Sequence, residues 1–157
     1  MKYTRLTKEQ LEELHPEFIN FLATQSITGD EWARIKEKHP EIAEQELDVF
    51  SDLIWEGVLS KAKYLQNTSP QQLFLFKLAN TEMKLIVIKV LDTKIDLSTP
   101  KGLQWLQDHV TTNKVELFTA AKAYSEDKHM DIFSLIQQGA EIVEGSLYEQ
   151  LADFLES

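Results

Sequence analysis

Four carboxylates spaced four residues apart, Glu44, Asp48, Asp52 and Glu56, are the first feature of this sequence that could do chemistry. On an α-helix such a row drifts only about 40° per step. Adjacent members could therefore share a hard cation such as calcium or magnesium through their oxygens. Four ligands on one regular helix form a row rather than a cage, and the ordinary reading is a solvated acidic face. Trp55 and Leu59 interrupt that polar surface, and with Glu56 they would make an aromatic anchor rimmed by carboxylates, suited to a basic protein partner. The competing expectation is that Trp55 packs beneath the chain from Tyr64 onward.

Three smaller groupings could also carry chemistry. Glu46 falls inside the apolar arc of the same stretch, where an inward carboxylate could act as a general base, although a stem lying over apolar surface with its head in water is the commoner arrangement. Tyr124-Ser125-Glu126-Asp127-Lys128-His129 gathers hydroxyl, carboxylate, amine and imidazole at the end of a predicted strand. Ser125 reads more simply as the cap of the helix that follows. His-Pro-Glu occurs twice, at His15-Pro16-Glu17 and His39-Pro40-Glu41. A histidine pair could bind a metal or exchange protons, but Pro at a first helical position and Glu answering the helix dipole explain both tripeptides.

Common enzyme signatures are missing. The glycines at 29, 57, 102, 139 and 145 never cluster into a phosphate loop, and there is no nucleophile elbow, zinc-protease helix or EF-hand loop. No catalytic residue and no cofactor is assigned, and the balance leans away from an enzyme. The absence of cysteine rules out a disulfide framework, thiolate zinc, iron–sulfur clusters and a Cys nucleophile. With a net charge of −10 and sixteen Lys and Arg residues scattered singly, nucleic acid and anionic membrane are disfavoured as partners. The N-terminus turns polar at once and no apolar run exceeds that of Leu85 to Ile88, so a soluble cytoplasmic protein is expected.

The elements that must position these residues follow from periodicity. Pro40 to about Lys61 keeps a helical period, with Ala43, Leu47, Phe50, Ile54 and Val58 as the core face, Ile42, Val49, Leu53 and Gly57 flanking it, and the carboxylate row opposite. Thr7 with Gln10 and Thr28 with Glu31 open two earlier helices, and a break is expected at His15-Pro16. After a turn at Asn67-Thr68-Ser69-Pro70 the period becomes two, predicting a β-hairpin from Leu73 to Ala79 and Lys84 to Leu91, joined by Asn80 to Met83. A helix follows from Thr99-Pro100 to about His109, a third strand from Val115 to Tyr124, a helix from Asp131 to Gln138 ended by Gly139, and a short edge strand from Glu141 to Glu144. Ser146 with Glu149 reads as a capping box for the last helix. The order predicts an α+β fold with N-terminal helices and a mainly antiparallel sheet, in a single domain of residues 1–157.

Leu6-Thr7-Lys8-Glu9-Gln10-Leu11, Phe21-Leu22-Ala23-Thr24-Gln25, Glu31-Trp32 and Phe50-Ser51-Asp52-Leu53-Ile54-Trp55-Glu56 resemble an uncharacterised family of short Bacteroidetes-type bacterial proteins, a domain of unknown function. The resemblance spans nearly the whole chain and implies a cytoplasmic bacterial protein, with no activity or site to carry over. The leading expectation is a small protein-binding module acting through Trp55, Glu56 and Leu59. The alternatives are a small-molecule enzyme using Glu46 or the Ser125 to His129 loop, and a carboxylate metal-binding protein using Glu44, Asp48, Asp52 and Glu56. The partner and the oligomeric state are left open.

Overall fold

The computed structural model describes residues 1–156, which form seven helices and one five-stranded antiparallel sheet, an α+β fold. Two compact units divide the chain after Ser60. The first holds α1 (Lys8–Glu13), α2 (His15–Thr24), α3 (Gly29–Lys38) and nearly all of α4 (Pro40–Lys61). Thr7 and Gln10 form the expected reciprocal cap, and the Thr28 hydroxyl accepts the Glu31 N–H. The break at Pro16 falls where expected, with Leu14 between α1 and α2. Leu6, Phe18, Leu22 and Phe50 form the buried centre of this unit, with Trp32, Leu47, Ile54 and Trp55 packed around it. Phe18 stands edge-on to both Trp32 and Phe50 at 5.2 and 5.1 Å between ring centres, an arrangement that suits aromatic quadrupoles.

The bounds of α4 agree with the sequence reading, but its orientation differs. Ala43, Phe50, Ser51 and Leu59 are buried, whereas Ile42, Val49, Leu53 and Val58 are 40, 57, 58 and 40% exposed. The buried face is thus turned from the predicted apolar centre toward the predicted acidic side. Hydrophobicity alone set the wheel, and it could not register that Ser51 has its hydrogen bonds satisfied inside.

The second unit carries the sheet, in the order β4-β3-β2-β1-β5. Its strands are β1 (Tyr64–Thr68), β2 (Gln72–Leu78), β3 (Glu82–Val90), β4 (Val115–Ala123) and β5 (Glu141–Val143). The hairpin, third strand and short edge strand all occur near their predicted places. β1 was not foreseen: Tyr-Leu-Gln-Asn-Thr lacks β-branched density, yet it pairs with β2 on one side and β5 on the other. The turn shifts accordingly to Ser69–Gln71, closed by Ser69 N–H to the Gln72 carbonyl at 2.9 Å.

Direct register partners share a face. Leu73, Leu75, Ile86, Ile88, Val90 and Val115 therefore point to one side, where they form a buried core with Leu97, with Leu106 of α5 (Pro100–His109) and with Tyr148 and Leu151 of α7 (Ser146–Glu156). Leu65 and Leu78, also buried, belong to the opposite face. The remaining helix, α6 (Lys128–Gln137), starts earlier than predicted. Its cap is Asp127, which accepts the Met130 N–H at 3.1 Å, and not Ser125, whose hydroxyl is turned to the Asp131 carboxylate at 2.7 Å. The capping box at Ser146 does not form either. Its hydroxyl goes to Glu144, and Glu149 faces Tyr64 and Lys77 instead.

Gly102 sits where α5 crosses the preceding loop so closely that a Cβ would lie 1.7 Å from the Asp96 carbonyl oxygen. A backbone atom cannot yield like a side-chain tip. Gly102→Ala should therefore cost several kcal/mol (about 3, as for severe overpacking). Gly57, on an open helix surface with nothing near its would-be Cβ, should gain up to about 1 kcal/mol on replacement by Ala. Urea unfolding of the two variants checks the contrast.

Candidate interaction surface

The carboxylate row on α4 is occupied by the protein's own N-terminal segment. The amides of Lys2 and Tyr3 donate to the two oxygens of Asp52 at 2.7 and 2.9 Å. Lys2 Nζ lies 3.3 Å from Glu56, whose carboxylate also accepts the Tyr3 hydroxyl. Arg5 Nε donates to Asp48 at 2.7 Å, and its Nη2 reaches the Glu44 carbonyl at 3.5 Å. The segment therefore runs antiparallel to the helix, with Lys2 at its far end and Arg5 a turn or two nearer its start. Leu6 closes the seam, donating its N–H to the Ser51 hydroxyl at 3.1 Å while that hydroxyl donates to the Leu47 carbonyl at 2.7 Å. Ser51 is fully buried, so this pairing removes the cost of hiding a hydroxyl.

Electrostatics agree with this arrangement. Burial, and then the hydrogen bond to Glu56, raise the Tyr3 phenol above its ordinary value, and Asp48 raises the Arg5 guanidinium. The expected solvated face is instead a set of acceptors for two cations and two backbone amides. Among the described residues, no group of three or more His, Asp or Glu is placed to hold a metal ion.

The other predicted residues are scattered. Leu59 is 1% exposed and offers no surface to a partner. Trp55 is half-buried against the cluster around Phe18 and Phe50. Glu46 is half-buried and accepts a hydrogen bond from Gln25 Nε2 at 2.8 Å. Ser125 and Asp127 are used in the turn into α6, and Lys128 lies over the Tyr124 ring at 5.0 Å. His39 ends α3 and sits 3.6 Å from Glu41, while His15 is an exposed first residue of α2.

The structure adds a polar cluster that the sequence reading missed. Glu149 on α7 accepts from the Tyr64 hydroxyl at 2.6 Å and from Lys77 Nζ at 2.8 Å, and Lys77 approaches the Tyr148 ring. Tyr64 and Lys77 are direct register partners on β1 and β2, and Gly145 is packed against the Tyr64 ring. Only tertiary pairing brings residues 64, 77 and 149 together, so no local spacing announces them. The cluster borders a cleft of about 360 Å³ lined by Tyr64, Leu103, Leu147 and Tyr148. The hydrogen bonds from Lys77 and Tyr64 hold the Glu149 carboxyl below its ordinary value, and in return the lysine and tyrosine are raised above theirs. Each shift favours the ion pair of Glu149 and Lys77 with the protonated Tyr64 phenol as a further donor. The cluster clamps α7 to the sheet.

Among the described residues, the outer edge of β4 has no strand paired to it. Its nine residues form one border of the sheet, and seven of them, Glu116 and Phe118 to Ala123, are exposed. The direction of its hydrogen bonds follows from two contacts beside the strands. Val90 N–H donates toward β2, to the Gln71 carbonyl at 2.8 Å, and Leu91 N–H donates toward the β4 side, to the Lys114 carbonyl at 3.3 Å. In an antiparallel ladder these directions alternate. Glu116, Phe118, Ala120 and Lys122 therefore bond to β3, and Leu117, Thr119 and Ala121 turn their N–H and C=O groups outward. The opposite border, β5, is only three residues long.

The fold and this edge define an α+β protein whose antiparallel sheet ends on a long, exposed strand. The chain belongs to a family described as a family of unknown function, DUF6495, which it matches over residues 1–156. No curated protein and no solved structure matches it.

Two outcomes follow. Asp52→Ala strips two backbone amides of their acceptor and should lower stability by about 1–2 kcal/mol. It should also speed tryptic cleavage after Arg5 in limited proteolysis, which an idle surface carboxylate would not do. In the α7 clamp, Glu149 has its folded-state pKa below its unfolded value, so its contribution is present above about pH 4.5 and is lost as the pH falls through the lower folded value. Lys77 and Tyr64 contribute below about pH 10.5 and 10.0 and lose their share as the pH rises through their raised values. Glu149→Gln should flatten the acid limb of a plot of urea midpoint against pH by less than about 1 kcal/mol, because the pair faces solvent.

Proposed function

We propose that this protein is a cytoplasmic protein-interaction module that takes up an extended segment of its partner along the outer edge of β4. The observation that carries this reading is the edge itself: a long strand, exposed on most of its residues, with outward N–H and C=O groups at Leu117, Thr119 and Ala121. Such an edge is a template for another strand, and natural sheets generally shorten, bulge or cover theirs. Here only Glu116 and Lys122 interrupt a run of small and apolar side chains. The exposed β4 edge suits a partner better than Trp55, Glu56 and Leu59, of which the first is half-buried, the second is engaged by Lys2 and Tyr3, and the third is buried. The cytoplasmic location rests on composition, an acidic chain without cysteine.

Thr119→Pro removes one outward donor while leaving the ladder to β3 its bonds, so the strand should persist. In a selection from a random nonapeptide library, binders of the native protein should lose about tenfold or more in affinity for Thr119→Pro. A library that yields no binders, or binders indifferent to Thr119→Pro, would contradict the reading.

A further inference from the structure

Resting on that reading, we infer that the strand received by β4 is β4 of a second copy of this chain, paired antiparallel about a two-fold axis at Thr119. The sequence of the edge is complementary to itself in one register. Centred on Thr119, the pairing sets Glu116 opposite Lys122 on both sides of the axis, Phe118 opposite Ala120, and Leu117 opposite Ala121. Every charge meets its opposite, and every large side chain meets a small one.

The hydrogen-bond alternation selects the same register. Leu117, Thr119 and Ala121 point their backbone groups outward, and this pairing places them against Ala121, Thr119 and Leu117 of the second copy, where each pair can exchange both bonds. Glu116 and Lys122 then occupy non-hydrogen-bonded positions, where opposing side chains stand closest. Shifting the axis to Phe118 would oppose Lys122 to Lys114 and Phe118 to itself, and shifting it to Ala120 would set Glu116 against Tyr124 and Lys122 against Phe118. Neither neighbour pairs the charges.

Beside the strand lies a second piece of complementarity. A groove of about 400 Å³ on the α7 side of the sheet is lined by Thr119, Ala121, Ala152 and Leu155, among others. Leu117 and Ala121 share that face of β4, since their register partners Ile88 and Lys84 alternate on one side of β3. The second copy's Leu117, opposite Ala121, falls at the mouth of this groove. The two sheets would join into one continuous antiparallel sheet with both β4 edges satisfied.

Sedimentation equilibrium of the full chain tests the inference. Native protein should be a dimer. Glu116→Lys should weaken it about tenfold or more, since two attractive pairs become repulsive, and adding Lys122→Glu to that variant should restore it. Both residues are exposed, so the fold should tolerate the exchange. The absence of native cysteine allows a register check. Thr119→Cys brings the two sulfurs to a Cα separation of about 5.5 Å, within disulfide range, and should cross-link under oxidised glutathione. Ala123→Cys, about 27 Å from its counterpart in this register, should not. A native monomer at all concentrations would overturn self-pairing while leaving strand uptake from another protein to the peptide selection. A dimer indifferent to Glu116→Lys, or one that cross-links equally at 119 and 123, would overturn it through a different interface.

Discussion

A backbone N–H or C=O in a sheet must be met by water or by another strand, and the two borders of this sheet leave very different lengths of backbone to be met. β3 spends its alternate groups on β2 and β4, and β1 divides its own between β2 and β5. β5 ends the sheet after three residues, which leaves little edge to satisfy. β4 ends it after nine, with no bulge or covering strand among the described residues. The functional reading follows from this asymmetry.

The same constraint explains why the carboxylates on α4 are poor candidates for an external partner. A row of like charges at four-residue spacing is mildly destabilising on its own. Lys2, Arg5 and two amides from the N-terminal segment offset that repulsion and fix the segment along the helix. Each carboxylate that already holds an amide, a phenol or a cation has fewer acceptor sites left for an external partner. The acidic helix is therefore an internal device of its own unit, and the exposed apolar residues Ile42, Val49 and Leu53 lie on its other side.

Local signals in the sequence were reliable where one residue satisfies one backbone group. Thr7 and Thr28 cap α1 and α3, a helix begins at Thr99-Pro100, Pro16 follows the break after α1, and α4 runs from Pro40 to Lys61, all as the sequence predicts. The two hairpin strands were legible from the change of hydrophobic period, and the strands near Val115 and Glu141 and the α+β class from the order of segments after them. Features that depend on distant partners were not. The rotation of α4 reflects Ser51 receiving the Leu6 amide, 45 residues away, and β1 exists because β2 and β5 flank it. Ser146 and Glu149 have the spacing of a cap, but Glu144 and Lys77 with Tyr64 compete for them and win. The residues of β4 predict a strand, but its place at the border depends on strand order, which no local pattern encodes.

Amide hydrogen exchange along β4, followed residue by residue as protein concentration rises, bears most directly on the central claim. The account predicts alternation: Glu116, Phe118, Ala120 and Lys122, bonded to β3, exchange slowly throughout, and Leu117, Thr119 and Ala121 exchange fast in dilute solution and become protected together when the edge is occupied. Uniform protection along the strand at every dilution, or outward amides that stay fast up to the highest concentration and in the presence of selected peptides, would contradict it.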